Sequence, residues 1–114
     1  MRNMSFFLTQ EQFKARTKDV TRRLGWKTLK PGELVQAVVK CQGLRPGEKI
    51  QRLGIIRVKS VHREFLDEIS QNDVIREGFP KLGIKGFIDM FCLHMKVKPE
   101  TCVTRIHFEY VEAA

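Results

Sequence analysis

The chain has 114 residues, 42% apolar and 30% charged, with 21 lysines and arginines against 13 acids and a net charge of +8. That length supports one core and that composition excludes a disordered chain, so the sequence reads as a single domain over residues 1–114. No run reaches the ~18 apolar residues of a membrane span. The patch at Phe6, Phe7 and Leu8 is too short for a signal-peptide core. A cytoplasmic protein without membrane contact is therefore expected, and the sequence sets no oligomeric state.

The predicted elements begin with a short extended entry over Ser5 to Leu8. Thr9 and Gln12 have the spacing of a capping box, which predicts a helix from Gln10 to about Arg16. From Thr17 the pattern changes to a strand or extended turn around Val20 and Thr21, closed by Leu24, Gly25 and Trp26. Pro31-Gly32 signals a turn. Leu34 to Lys40, rich in β-branched Val35, Val38 and Val39, follows as a strand with two apolar faces. A loop at Gly43, Pro46 and Gly47 leads to a second apolar strand, Leu53 to Val61.

Phe65, Leu66 and Ile69 suit a short helix, and Val74 with Ile75 a second one ending near Gly78. Beyond the breakers Pro80 and Gly83, Phe87, Met90 and Phe91 share one face of a helix from Gly86 to Met95, which predicts a well-buried element. The last element is a half-buried strand: Thr104, Ile106, Phe108 and Tyr110 alternate with Arg105, His107 and Glu109. Strands separated by helices in so short a chain indicate an α+β barrel.

Charge is unevenly distributed. Lys14, Arg16, Lys18, Arg22, Arg23, Lys27 and Lys30 fall in one segment with Asp19 as its single acid, so +6 of the +8 is local. Such a cluster reads either as a face for a polyanion or as a solvated surface. Trp26 beside it either stacks on a base or packs in the core.

Three cysteines, Cys41, Cys92 and Cys102, cannot all pair within the chain and are expected as reduced thiols. Cys92, His94, Cys102 and His107 fit no zinc spacing, so neither a metal nor another cofactor is expected.

Three segments carry a family resemblance. Thr17-Lys18-Asp19-Val20-Thr21-Arg22-Arg23 resembles the signature of the ASCH superfamily, Leu29-Lys30-Pro31-Gly32-Glu33 its Lys-x-Gly turn, and Glu77-Gly78-Phe79 its Glu-Gly-Phe segment. The elements from Phe87 to Cys92 and from Val103 to Tyr110 are similar to its closing helix and strand. The likeness runs from Ser5 to Val111 and is nearest to small stand-alone bacterial and bacteriophage members.

The resemblance implies a PUA-like small β-barrel flanked by short helices, with a cleft beside the barrel. It implies RNA or a nucleotide as partner, with Lys18, Arg22, Arg23, Trp26 and Lys27 as the contacts. Some members are amidohydrolases that deacetylate 4-acetylcytidine, and others are ribonucleases, a lower-ranked reading here. Matched to the deacetylating members, Lys18, Thr21 and Glu77 form the catalytic set.

In that chemistry a base must take the Thr hydroxyl proton, and a Lys serves only if its pKa is lowered. Residues 18 and 21 of an ideal strand face opposite ways. A shared site therefore requires Lys18 in a turn before the strand, or a bulge at Asp19. An Asp19 close to Lys18 would also oppose the base role by raising its pKa.

Overall fold

The computed structural model describes residues 1–112. Its elements are β1 (Arg2–Ser5), α1 (Gln10–Lys14), β2 (Val20–Arg23), β3 (Leu34–Val38), β4 (Arg52–Phe65), α2 (Gln71–Arg76), α3 (Ile84–Met95) and β5 (Cys102–Val111). Single 3-10 turns lie at Phe7–Thr9 and Leu66–Glu68. All five strands join one sheet in the order β1-β3-β4-β5-β2. β1 runs parallel to β3, and every other pairing is antiparallel.

The sheet curls into a half-barrel, and the fold is α+β. Its register shifts between Val58 and Ser60 on β4, at a bulge opposite the middle of β5. Bulges bend a strand and increase its twist, as a curling sheet requires. The edge strands β1 and β2 are not paired with each other among the described residues. Arg23 spans the gap between them, its Nη1 donating to the Ser5 carbonyl at 2.6 Å.

Several elements differ from the sequence reading. Thr9 makes no side-chain cap, and α1 ends at Lys14 with Ala15 as its C-cap. The Arg16 amide bonds back to Phe13 and the Thr17 amide to Gln12, with Arg16 at φ 58°. This left-handed close turns the chain sharply towards β2. β1 was expected only as an extended entry further on, because four residues show too little alternation to read. β4 continues through Phe65, which the apolar count had placed in a helix.

The main core joins Met4, Phe6, Phe13, Val35, Ile56, Val58, Ile106 and Phe108. A second cluster of Leu66, Ile69, Val74, Phe87 and Val103 fastens α2 and α3 to the sheet. Of α3 only Phe87 is buried. Leu93 is 77% exposed and Met95 41%, so this helix is less buried than the sequence predicts. The reason is that part of its apolar face forms a cavity wall instead of meeting another layer. No helix among the described residues is long and apolar enough to cross a membrane.

Candidate functional site

A cavity of about 550 Å³ opens beside the gap between β1 and β2. β1 and the turn after it contribute Asn3, Ser5, Phe6 and Phe7. Lys18, Thr21, Arg22 and Arg23 enter from the β2 side, and Glu77 from the end of α2. Phe79, Phe87, Met90 and Phe91 make an apolar wall.

Lys18 lies just before β2, within the turn that follows α1. Strand alternation therefore does not separate it from Thr21, and both line the cavity. The turn is pinned from several sides. The Asp19 amide donates to the Arg76 carbonyl, the Phe108 amide to the Asp19 carbonyl, and the Tyr110 hydroxyl to the Lys18 carbonyl. The Asp19 carboxylate faces away, taking Arg76 Nε at 3.0 Å. Asp19 is thus committed elsewhere and is not the partner of the Lys18 ammonium.

That partner is Glu77. Lys18 Nζ donates to Glu77 Oε1 at 2.8 Å and to its carbonyl oxygen at 2.9 Å. Both contacts require Glu77 to present carboxylate and carbonyl together at the C-cap of α2. Gly78 allows this with φ 103°, where a Cβ would also lie 2.7 Å from Gln12 Cγ. Only glycine adopts that turn against α1 without strain, which accounts physically for the Glu-Gly-Phe segment. Lys18 is 2% exposed, Thr21 3% and Glu77 4%. Burial pushes the Lys18 pKa down, against the opposing pull of Glu77.

Glu77 also receives Arg22 Nη1 at 3.1 Å. Arg22 Nη2 meets Asp73 at 2.5 Å and Glu64 at 2.6 Å. Arg105 grips Asp73 through two hydrogen bonds of 2.7 and 3.1 Å. Burial alone would raise the Asp73 pKa, but the hydrogen bonds from Arg105 and Arg22 outweigh it and hold the carboxyl well below its usual range. Arg22 is therefore built into the floor of the cavity, bonded to acids.

Arg23 is different. Its Nε donates to Thr21 Oγ1 at 3.0 Å, its Nη1 to the Ser5 carbonyl, and its guanidinium lies 4.8 Å from the centre of the Phe6 ring. Among the described residues no carboxylate stands within ion-pairing distance of it. Burial lowers its pKa to about 10, with only partial relief from the more distant Glu77 charge.

The remaining expected contacts divide. Trp26 is half-buried, packs against the main core and also lines the cavity. Lys27 is exposed and lies outside the cavity lining, as do Lys14, Arg16 and Lys30. The cationic segment is therefore not one continuous face: α1, its left-handed close and β2 send its side chains in different directions. Among the described residues no group of three or more His, Cys, Asp or Glu side chains is arranged to hold a metal ion.

Asp73, Glu64 and Arg105 went unrecognised in the sequence. Ser70 caps α2 in the structure, its hydroxyl accepting from the Asp73 amide at 3.1 Å. An acid in a first helical turn reads as a surface complement to the helix dipole, which hid its pairing with Arg22, Arg105 and Arg76.

No protein-family model matches the sequence. No curated protein matches it either. Solved structures do resemble it. Protein EF3133 from Enterococcus faecalis V583, of the family DUF984, is 16% identical with a TM-score of 0.61, over 91% of this chain and 70% of that one. The hypothetical protein PH0355 is also 16% identical, with a TM-score of 0.63 over 96% of both chains. An ASCH domain from Lactobacillus crispatus JV V101 is 15% identical with a TM-score of 0.55, over 90% of this chain and 70% of that one. The half-barrel, its short helices and these likenesses agree: the chain has an ASCH-like fold.

Proposed function

We propose that this protein binds a nucleotide unit, free or at an unstacked position in RNA, in the cavity between β1, β2 and α3. One observation carries the reading. Lys18, Thr21, Arg23, Glu77 and Trp26 line the same cavity, opposite a wall of Phe79, Phe87 and Phe91. Hydrogen-bonding groups facing an aromatic wall suit a base, which has polar edges and an apolar face. Three free cysteines fit a reducing compartment, in keeping with a cytoplasmic site of action.

Trp26 is the single tryptophan and lines the cavity, so its fluorescence reports occupancy. Titration with nucleosides, nucleoside monophosphates and short RNA at low salt is expected to change that signal saturably. No response to any of them would reject the proposal.

A second reading is amide hydrolysis on an acetylated cytidine. It is favoured by the depressed pKa of Lys18 in the same cavity as Thr21. The Thr21 hydroxyl would attack the amide carbonyl as Lys18 takes its proton; that proton passes to the cytidine amine as the C–N bond breaks, and water then frees acetate from the Thr21 ester, with Glu77 orienting Lys18. No hydrogen bond joins Lys18 to Thr21, whose oxygen accepts from Arg23. Substrate would have to bring the two into contact. Lys18→Ala and Thr21→Ala are each expected to abolish release of acetate from 4-acetylcytidine, and absence of turnover by the wild type would remove this reading.

A further inference from the structure

The cations that line the cavity are not equivalent, and the difference specifies how much negative charge a ligand brings. Lys18 and Arg22 belong to a network with Arg105, in which these cations meet three acids, Glu77, Asp73 and Glu64. Arg76 joins it through Asp73 at 3.8 Å and brings Asp19 at 3.0 Å, so four cations meet four acids and the network is neutral. Lys40, at the rim, has Glu48 at 3.2 Å. Arg23 is the one cavity-lining Lys or Arg among the described residues with no ion-pair partner.

Arg23 is also pre-oriented. Thr21 Oγ1, the Ser5 carbonyl and the Phe6 ring fix its plane, while its Nη2 makes no hydrogen bond to the described residues. A guanidinium held in this way presents free N–H donors at little entropic cost, in the geometry that suits a phosphate.

Resting on the nucleotide reading above, we infer that the cavity engages one phosphate group, through Arg23, and does not track an RNA backbone. A second or third phosphate would meet no uncompensated cation in the cavity. The +6 segment predicts otherwise, because its lysines and arginines would contact many phosphates if they shared a face.

The experiment compares a nucleoside, its 5′-monophosphate, a dinucleotide and a single-stranded RNA ten nucleotides long, each titrated across a salt series by Trp26 fluorescence and calorimetry. The first phosphate is expected to raise affinity about tenfold or more, and lengthening the chain to add little. The slope of log affinity against log salt is expected at about −0.7 for the long RNA, against about −4 if six phosphates were neutralised, and no steeper for the monophosphate, which has no condensed counterions to release. Arg23→Gln is expected to collapse the ratio of nucleotide to nucleoside affinity towards one, and Arg23→Lys, which keeps the charge but loses the planar fork, to retain only part of it. Replacing the exposed Lys14, Lys27 and Lys30 with glutamine should leave the slope unchanged.

A steep slope with the long RNA, or a slope that falls in the triple variant, overturns the inference. So does an unaltered phosphate preference in Arg23→Gln, with circular dichroism and thermal melting reporting that both Arg23 variants fold. Nucleoside binding without any phosphate preference would overturn this inference and leave the cavity reading standing, whereas failure of every ligand to bind would sink both.

Discussion

Two neighbouring regions of this small protein cohere by different means. Around Phe6, Phe13, Phe108 and Tyr110 the interior is apolar, with ring centroids 4.9 Å apart for Phe6–Phe13 and for Phe13–Tyr110. Between β2, β5 and α2 it is charged, with Lys18, Arg22, Glu77 and Asp73 all buried. The aromatic region tolerates any change that preserves volume and apolarity. The charged region stands only while every member has its partner, since one buried charge left alone costs more than the pair contributes. The fold therefore carries its most fragile interactions at the candidate site, where a purely structural design would have used leucines.

The largest expected effect is at Glu77. Glu77→Ala leaves Lys18 without its carboxylate and is expected to cost about 3–5 kcal/mol in urea unfolding, comparable to Phe108→Ala in the aromatic region. The double variant Lys18→Met/Glu77→Leu removes both charges and is expected to recover part of that loss, the Arg22 Nη1 donor still being left without Glu77. A double variant no more stable than Glu77→Ala would break the comparison, because the charges would then be supplying stability of their own.

Acid separates the regions next. The folded pKa of Asp73 lies below its ordinary value of 3.8. The stability this group contributes is thus fully present above that value and is lost as pH falls through the folded pKa. Thermal melting is expected to drop steeply below about pH 4, and Asp73→Asn, less stable at neutral pH, to flatten that limb. An unchanged acid limb in Asp73→Asn would remove the network from the account.

Gly78→Ala is expected to cost about 1–3 kcal/mol, because alanine is strained at that φ and its Cβ meets Gln12. It should also move the Glu77 carbonyl off Lys18, so ligand affinity should fall more than in a core variant of equal stability. The smallest effect is at Tyr110, the point where the two regions touch. Tyr110→Phe keeps the ring packing but removes the hydrogen bond to the Lys18 carbonyl, at an expected cost of about 1 kcal/mol. A null effect in chemical unfolding would mean that the Lys18 turn is held without it.

Much of the fold was legible where local pattern and burial coincide. The alternation from Thr104 to Tyr110 reads as a strand because β5 buries one side of it, with Thr104, Ile106 and Phe108 buried and Arg105, His107 and Glu109 partly exposed. Val74 and Ile75 announced α2, and Gly78 its end. β1 escaped because its four residues show too little alternation, and the strand that fixes it lies more than thirty positions away. The burial of α3 was overestimated because periodicity reports an apolar face but not what covers it.

The sequence by itself determined the secondary elements with strong periodicity, the turn at Gly78 and the residue types available for chemistry, since these follow from propensity and sterics within a few residues. Only the tertiary structure decided which charges matter. Lys18 and Glu77, 59 positions apart, meet because the close of α1 and the end of α2 converge on one cavity. Arg22 and Arg23 are adjacent in the chain, yet among the described residues one is bound by three acids and the other by none. Neighbours on a strand point to opposite faces, and what each face meets comes from distant parts of the chain.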